Sequence, residues 1–419
     1  MKSVLIACAL CAGCGGGAGA DAAGSDAAAT DAGAGLDSGG GGADSGGLGA
    51  DAGEPPIACV ATVAPGAPGE PFGAPVMVSD ATRASDVPSM AVRGDRVLFA
   101  WQEFDDMGVV HVVYALAESG CVGARTSLDD TFAPARRPAV AATGAGWVIA
   151  YAATDAAAGV DVLRALEVDA AGVPRAPAET LSAPGSYAAW PHAASWGDDE
   201  AFAWTDGSAH WFAIRGPRET VPAALVGTTL QSTGLLNYPR IALAPDGTLH
   251  LAYRDGGASA VEWDALLVTR PPGGTFGAPV NVSNSAGLGT DSQDVFMEPD
   301  GTLDVVYADQ DPANICDFVV RHATRDPSGA VSAPVTYAGQ PATQAWGPVV
   351  GPGLAAVWST GAGPSGPLYY TDGSAPAASF LPGTTGRSPD FAVGEAGTRH
   401  LVYVVAGFPS QVFYAFGAD

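Results

Sequence analysis

The sequence predicts an all-β fold, a seven-bladed β-propeller with four-stranded blades, and three observations carry that expectation. Seven short runs end in an aromatic, at Trp101, Tyr151, Trp204, Tyr253, Tyr307, Trp358 and Tyr403, spaced by 50, 53, 49, 54, 51 and 45 residues. A proline opens another short run before most of them, at Pro88, Pro138, Pro191, Pro239, Pro348 and Pro389, with hairpin chemistry such as "PDGT" at 245–248 and 299–302 in between. The string "FGAPVMVS" at 72–79 returns as "FGAPVNVS" at 276–283. A unit of about 50 residues repeated along a chain signals stacked blades. The runs are too short and too rich in β-branched and aromatic residues for helices.

From the N-terminus, Lys2 and the apolar run Val4–Leu10 have the layout of a secretory signal, and the run is too short to span a bilayer. "LCAGC" at 10–14 resembles a bacterial lipobox. That resemblance implies residues 1–13 as a lipoprotein signal peptide, and Cys14 as the lipidated first residue of the mature chain. Cys11 is a second candidate, and an ordinary secreted protein is the outcome if the lipobox reading fails. Residues 14–56 are rich in Asp, Ala, Gly and Ser, with two leucines and no aromatic, so they cannot build a core and are expected to be a disordered tether. As a Gly-rich coil it would reach roughly 35 Å. Such tethers resemble those of high-GC bacterial, especially myxobacterial, surface lipoproteins, which implies a cell envelope location on the outer membrane.

Residues 57–419 then form the propeller. "FGAPVNVS" completes a blade as its outer strand, whereas the chain ends on "VFYAFGAD", a third strand with no fourth after it. The strand at 72–79 is therefore expected to pair into the C-terminal blade and close the ring, removing free sheet edges. Cys59 lies shortly before that strand and Cys121 sits in the turn after the first blade's third strand. Both places belong to the outer bottom of neighbouring blades, which predicts a Cys59–Cys121 disulfide in an oxidising compartment and a free Cys316.

The formal charge is −26, of which residues 1–56 supply −6. So acidic a chain repels phosphate backbones, which excludes nucleic acid as a partner. The expected partners are a membrane, through the lipid anchor, and a glycan, peptide or protein ligand; a monomer is expected.

The repeats resemble sialidase-like (BNR-repeat) propellers over residues 72–417. That family's Asp-box turn has a degenerate counterpart in "TRPPGGTF", with Thr269, Gly273, Thr275 and Phe276 in place and Pro271 where the capping aspartate belongs. The resemblance implies ancestry and geometry. The family's arginine triad and tyrosine–glutamate pair cannot be assembled here, so sialidase activity is not expected. Arg136 and Arg387 precede prolines on the second and last blades and flank Asp86 on the first. They can form an anion site at the channel mouth or an ion pair that pins neighbouring blades.

Glu103, Asp206, Asp255 and Asp309 recur two residues after the strand-ending aromatics. They can bind Ca²⁺, work as paired acid and base on a sugar, or cap their own loops. Trp190, Tyr238 and Trp346 precede inner strands at the same mouth, where a ring can hold a sugar face or plug the channel. The six histidines show no metal-ligand spacing, and neither a catalytic motif nor a cofactor is expected. The reading is a non-catalytic binding module; the alternative is a glycoside hydrolase or lyase on the same propeller.

Overall fold

The computed structural model describes residues 56–417, apart from 68–69, 129–131, 184–185, 208, 227–237, 256–262, 286–287, 341–343, 362–365, 374–377 and 395. Cys11, Cys14 and the tether to residue 55 lie outside the described residues. The structure is all-β. Among the described residues no helix is long and apolar enough to cross a membrane.

Each repeat begins with an inner strand, turns at a hairpin into the strand that carries the aromatic, and steps outward. The second to fifth blades are four-stranded antiparallel sheets. They comprise β8 (Ala135–Thr143) to β11 (Glu179–Thr180), β12 (Ala189–Trp196) to β15 (Val221–Leu225), β16 (Arg240–Leu243) to β19 (Val280–Asn281), and β20 (Thr290–Met297) to β23 (Val335–Thr336). In the first blade β3 (Ser85–Arg93), β4 (Arg96–Phe104) and β5 (Val110–Glu118) are followed by an outer strand broken in two, β6 (Cys121–Val122) and β7 (Thr126–Ser127). β1 (Ala61–Thr62) adds to β6 and makes this sheet six-stranded.

The expectation of seven blades is corrected here. Five blades are separate, and the remaining strands merge into one seven-stranded closing sheet, in the order β2-β29-β28-β27-β26-β25-β24. It comprises β2 (Val76–Met77), β24 (Ala345–Val350), β25 (Ala356–Thr360), β26 (Gly366–Thr371), β27 (Ser379–Val393), β28 (Arg399–Val405) and β29 (Gln411–Gly417). The reason lies in β27, fifteen residues long with no turn to divide it. Its first part pairs with β26, from Tyr370↔Ser379 to Gly366↔Gly386, and its second with β28, from Arg387↔Val404 to Val393↔Arg399. Gly386 sits at the crossover, where an added Cβ would lie 2.5 Å from the Tyr403 ring.

β2 pairs with β29 through Val76↔Tyr414 and Met77↔Phe413. The regular strand is shorter than 72–79, but the Gly73 and Val78 N–H groups also donate to the Phe416 and Val412 carbonyls, at 2.8 and 2.9 Å. Phe72 wedges edge-on between Tyr370 and Phe391, with centroids 5.5 and 6.2 Å away. Cys59 and Cys121 are joined, their Cα atoms 5.3 Å apart, while Cys316 stands half-buried outside that bond.

All seven strand-ending aromatics are at most 1% exposed. They pack between neighbouring sheets: Tyr151 with the first and second blades, Trp204 with the second and third, Tyr253 with the third and fourth. The apolar period of each repeat is thus spent on blade-to-blade contact, which leaves function to the loops and the inner-strand starts.

Candidate functional site

The inner strands begin at one mouth of the ring, and nearly all of them bulge there. Val87, Arg137, Trp190 and Ser388, each next to a proline, adopt φ of 51°, 55°, 55° and 47°, and Gly347 does so at 53°. Side chains in this left-handed region are strained by about 1–3 kcal/mol, so a position that repeats it around the ring is held by the fold. The register shifts at the same place, for example between Asp86 and Ser89, Arg136 and Ala139, and Arg387 and Asp390. Proline fits because the ladder is already interrupted at a bulge.

The residues just before the inner-strand prolines therefore crown the mouth, and the crown is one-sided. Arg137, Trp190 and Tyr238 on the second to fourth blades are large, whereas Gly347 and Ser388 on the closing sheet are small. The large ones form a row. The Arg137 guanidinium carbon lies 3.3 Å from the Trp190 ring centroid. Trp190 meets Tyr238 edge-on, with centroids 4.1 Å apart. The Gln293 amide holds the Tyr238 carbonyl at 2.6 Å, and the Arg137 N–H donates to Gln102 at 3.3 Å. Trp190 and Tyr238 stay partly exposed. Trp346 does not join the row; its indole N–H donates to the Gly361 carbonyl at 3.2 Å and its ring lies beside Phe318 at 5.4 Å.

Arg136, Asp86 and Arg387 do not gather as a trio. Arg387 pairs with Asp86 at 2.8 Å across the junction of closing sheet and first blade. Arg136 turns instead to Asp161 at 3.4 Å and Thr154 at 3.2 Å within its own blade. Burial raises the Asp86 carboxyl above the usual carboxylate range, against the opposing pull of Arg387 and the Val87 N–H.

The recurring carboxylates have separate roles. Glu103, 2% exposed, is gripped by Arg125 at 2.6 and 2.7 Å and by Arg83 at 3.3 Å. Asp309, wholly buried, accepts from Arg321 at 2.7 Å, Ser285 at 2.5 Å and Thr290 at 3.2 Å. Asp206 caps its own loop through the Ala209 N–H and also holds the Trp211 indole N–H at 2.9 Å. Asp255 ends β17 (Leu249–Asp255) opposite Asp264. Among the described residues no three His, Cys, Asp or Glu side chains come together as metal ligands.

One set of polar residues went unnoticed in the sequence. Ser89, His192, Asp294 and Asp390, at equivalent places on β3, β12, β20 and β27, are at most 1% exposed. Each accepts the backbone N–H of the next inner strand, at Val140 (3.0 Å), Ile241 (3.1 Å), Val350 (3.0 Å) and Met90 (2.7 Å). Burial pushes Asp390 well above its ordinary value and His192 well below its own, so both are neutral. A polar residue directly after the proline was the available signal at Ser89, His192 and Asp390.

No known protein family matches the chain, and no curated protein is similar to it. Solved structures do resemble it. The β-propeller domain of the Trilobed protease from Pyrococcus furiosus superposes with a TM-score of 0.50 at 10% identity, over 81% of this chain and 96% of that one. A Mycobacterium tuberculosis puromycin-hydrolyzing peptidase gives 0.52 at 15% identity over 82% of this chain, which spans 54% of the peptidase. The α-L-arabinofuranosidase Arb93A of Fusarium graminearum gives 0.49 at 12% identity, over 83% and 98% of the two chains. Likeness at this identity extends to the fold, a β-propeller.

Proposed function

We propose that the protein is an envelope-anchored propeller that binds a glycan at its mouth without turning it over. The observation that supports this best is the row Arg137–Trp190–Tyr238. It presents flat rings and a cation on one side of the mouth, beside small crown residues and the Asp86–Arg387 pair. Aromatic faces stack on the apolar face of a sugar, and the flanking polar groups fix its hydroxyls. Of the candidate carboxylates, Asp86, Glu103 and Asp309 are engaged in ion pairs and Asp206 in its loop cap, which speaks for holding over cleaving. On a glycan array, full-length protein in detergent is expected to retain at least one glycan, and Trp190→Ala to weaken it by about tenfold, or 1.4 kcal/mol. No binding to any glycan, or a Trp190→Ala variant that binds as well, would defeat the reading.

One observation favours a second reading, a glycoside hydrolase or lyase at the same mouth. Asp86 is an acid raised by burial beside a cation, the condition under which a carboxyl can donate a proton to a leaving group. Incubating the retained glycans and assaying new chain ends separates the two readings; release that Asp86→Asn abolishes would establish the enzyme.

The BNR-type ancestry also belongs here. Where the Asp-box aspartate is missing, Glu219 from the third blade accepts the Gly273 N–H at 3.1 Å and holds Arg270 at 2.6 and 2.8 Å. The envelope location rests on Lys2, the apolar run and Cys14. Intact mass of Cys14→Ser is expected to lack the acyl mass; the same loss in Cys11→Ser instead would move the site.

A further inference from the structure

Far from the mouth, at the foot of the fifth blade, two acidic side chains touch. In the hairpin of β20 and β21 (Leu303–Asp311), Phe296 pairs with Asp304 and Met297 with Leu303. Glu298 therefore lies diagonal to Asp304 on the same face, within reach of it. The Glu298 carboxyl raises that of Asp304, by its charge and by the hydrogen bond it offers the protonated acid. Two ionised carboxylates only accept, so such a bond forms only with a proton on one of them.

Both reach the turn between β24 and β25 in the closing sheet. The Gly353 N–H donates to Glu298 Oε1 at 2.5 Å, and the Leu354 N–H donates to Asp304. From the other side the Tyr337 O–H donates to the Leu354 carbonyl at 2.9 Å. The turn needs such support, because Leu354 stands at φ 63°, in the left-handed region that disfavours a branched side chain. Asp304 is 3% exposed.

We propose that Glu298 and Asp304 form a proton-dependent clasp, which holds the turn 352–354 while the pair shares one proton and loosens it when both are ionised. The charged and titratable groups around the pair all oppose a second negative charge or stay neutral. Asp300 on the same hairpin adds negative potential, Tyr337 is held protonated by burial, and His322, tilted against Tyr337 at 4.7 Å, is held neutral by burial. The turn itself, 351–355, carries no ionisable side chain. Burial first, then the neighbouring Glu298, pushes the Asp304 carboxyl up to about 8. Loosening therefore falls just above neutral pH, with the shared proton going to solvent. β24 runs from Ala345 to Val350 and ends at this turn, so the foot of the strand that carries Trp346 and Gly347 at the mouth is what the clasp steadies.

Hydrogen exchange of the full chain, expressed as protection factors so that the intrinsic pH dependence cancels, tests this. For a peptide covering 351–356, protection is expected to fall about tenfold between pH 7 and pH 9, as a single group titrating near 8 requires. The turn 245–248, whose capping Asp246 has a lowered pKa, is expected to stay constant. Asp304→Asn and Glu298→Gln should each abolish the fall. Constant protection of 351–356 in the wild type, or a fall that survives either variant, would overturn the clasp. Should Asp304→Asn fail to fold, Glu298→Gln decides alone.

Discussion

Ser89, His192, Asp294 and Asp390 solve one problem with three kinds of side chain. The inner part of each repeat's first strand has N–H groups without a strand partner, and a buried donor without an acceptor costs about 1–3 kcal/mol. On every second inner strand a polar side chain supplies that acceptor, while Ala139, Arg240 and Val349 stand at the intervening places. Ser89→Ala leaves the Val140 N–H alone and is expected to destabilise the protein by about 1–3 kcal/mol. A urea midpoint lowered at constant m reads this directly; an unchanged midpoint would mean that Val140 finds another acceptor. The sequence could not show the arrangement, because donor and acceptor are 51 residues apart in that pair and the acceptor's identity changes from strand to strand. The same distance hid Glu219, which stands 54 residues before the turn it caps. Trp190 and Tyr238 were legible as mouth aromatics because they precede inner strands, but Arg137 was passed over for its neighbour Arg136. Only the bulge, with Arg137 at positive φ, decides which of the two adjacent arginines lies over the ring.

At the scale of elements, the repeated string "FGAPV" was legible because both copies do the same work: β19 edges the fourth blade and β2 edges the closing sheet. The merger of the last repeats was not, although the spacing of 45 residues before Tyr403, the shortest in the chain, marks the place where a turn is missing. Pairing decides such a case, and β27 pairs on both sides. The N-terminal segment is tied in several ways at once. β1 extends the first blade, β2 edges the closing sheet, Phe72 wedges into the core, and Asp80 completes the Arg125–Glu103–Arg83 network. Removing 57–80 bares the edges of β6 and β29 together and takes Asp80 away from Arg125. The deletion is expected to aggregate, as an exposed edge strand does, which size-exclusion with light scattering would show. A stable monomer of unchanged thermal midpoint would contradict the closure. Cys121→Ser opens only the bond between residues 62 apart and is expected to cost a milder 2–4 kcal/mol, roughly.

Across the whole molecule, a net charge of −26 accompanies a set of buried histidines and carboxyls whose neutral forms burial favours. Burial lowers His210, His250 and His400 to about 4, and lowers His192 well below its ordinary value. With folded values below the unfolded 6.5, these histidines contribute stability that is present above about pH 6.5 and lost as pH falls through 4. Two acids are shifted the other way. Burial raises Glu200 to about 7, helped by Glu167 and Glu179 and opposed by Arg215, and raises Asp304 to about 8. Their contribution is present below about pH 4 and lost as pH rises through 7 and 8. Asp86, Asp309 and Asp390 move in the same direction. Between about pH 4 and 6.5 the two sets oppose each other. Above 6.5 the histidines are neutral in the folded and unfolded chains alike and drop out, so only the acids remain. Stability is therefore expected to fall from pH 6.5 to 8.5, by up to about 1.4 kcal/mol per pH unit for each titrating acid. Urea midpoints across that range should decline for the wild type and flatten in the double variant Glu200→Gln, Asp304→Asn. A wild-type midpoint that holds or rises with pH would show that these carboxyls ionise as freely in the fold as in the unfolded chain.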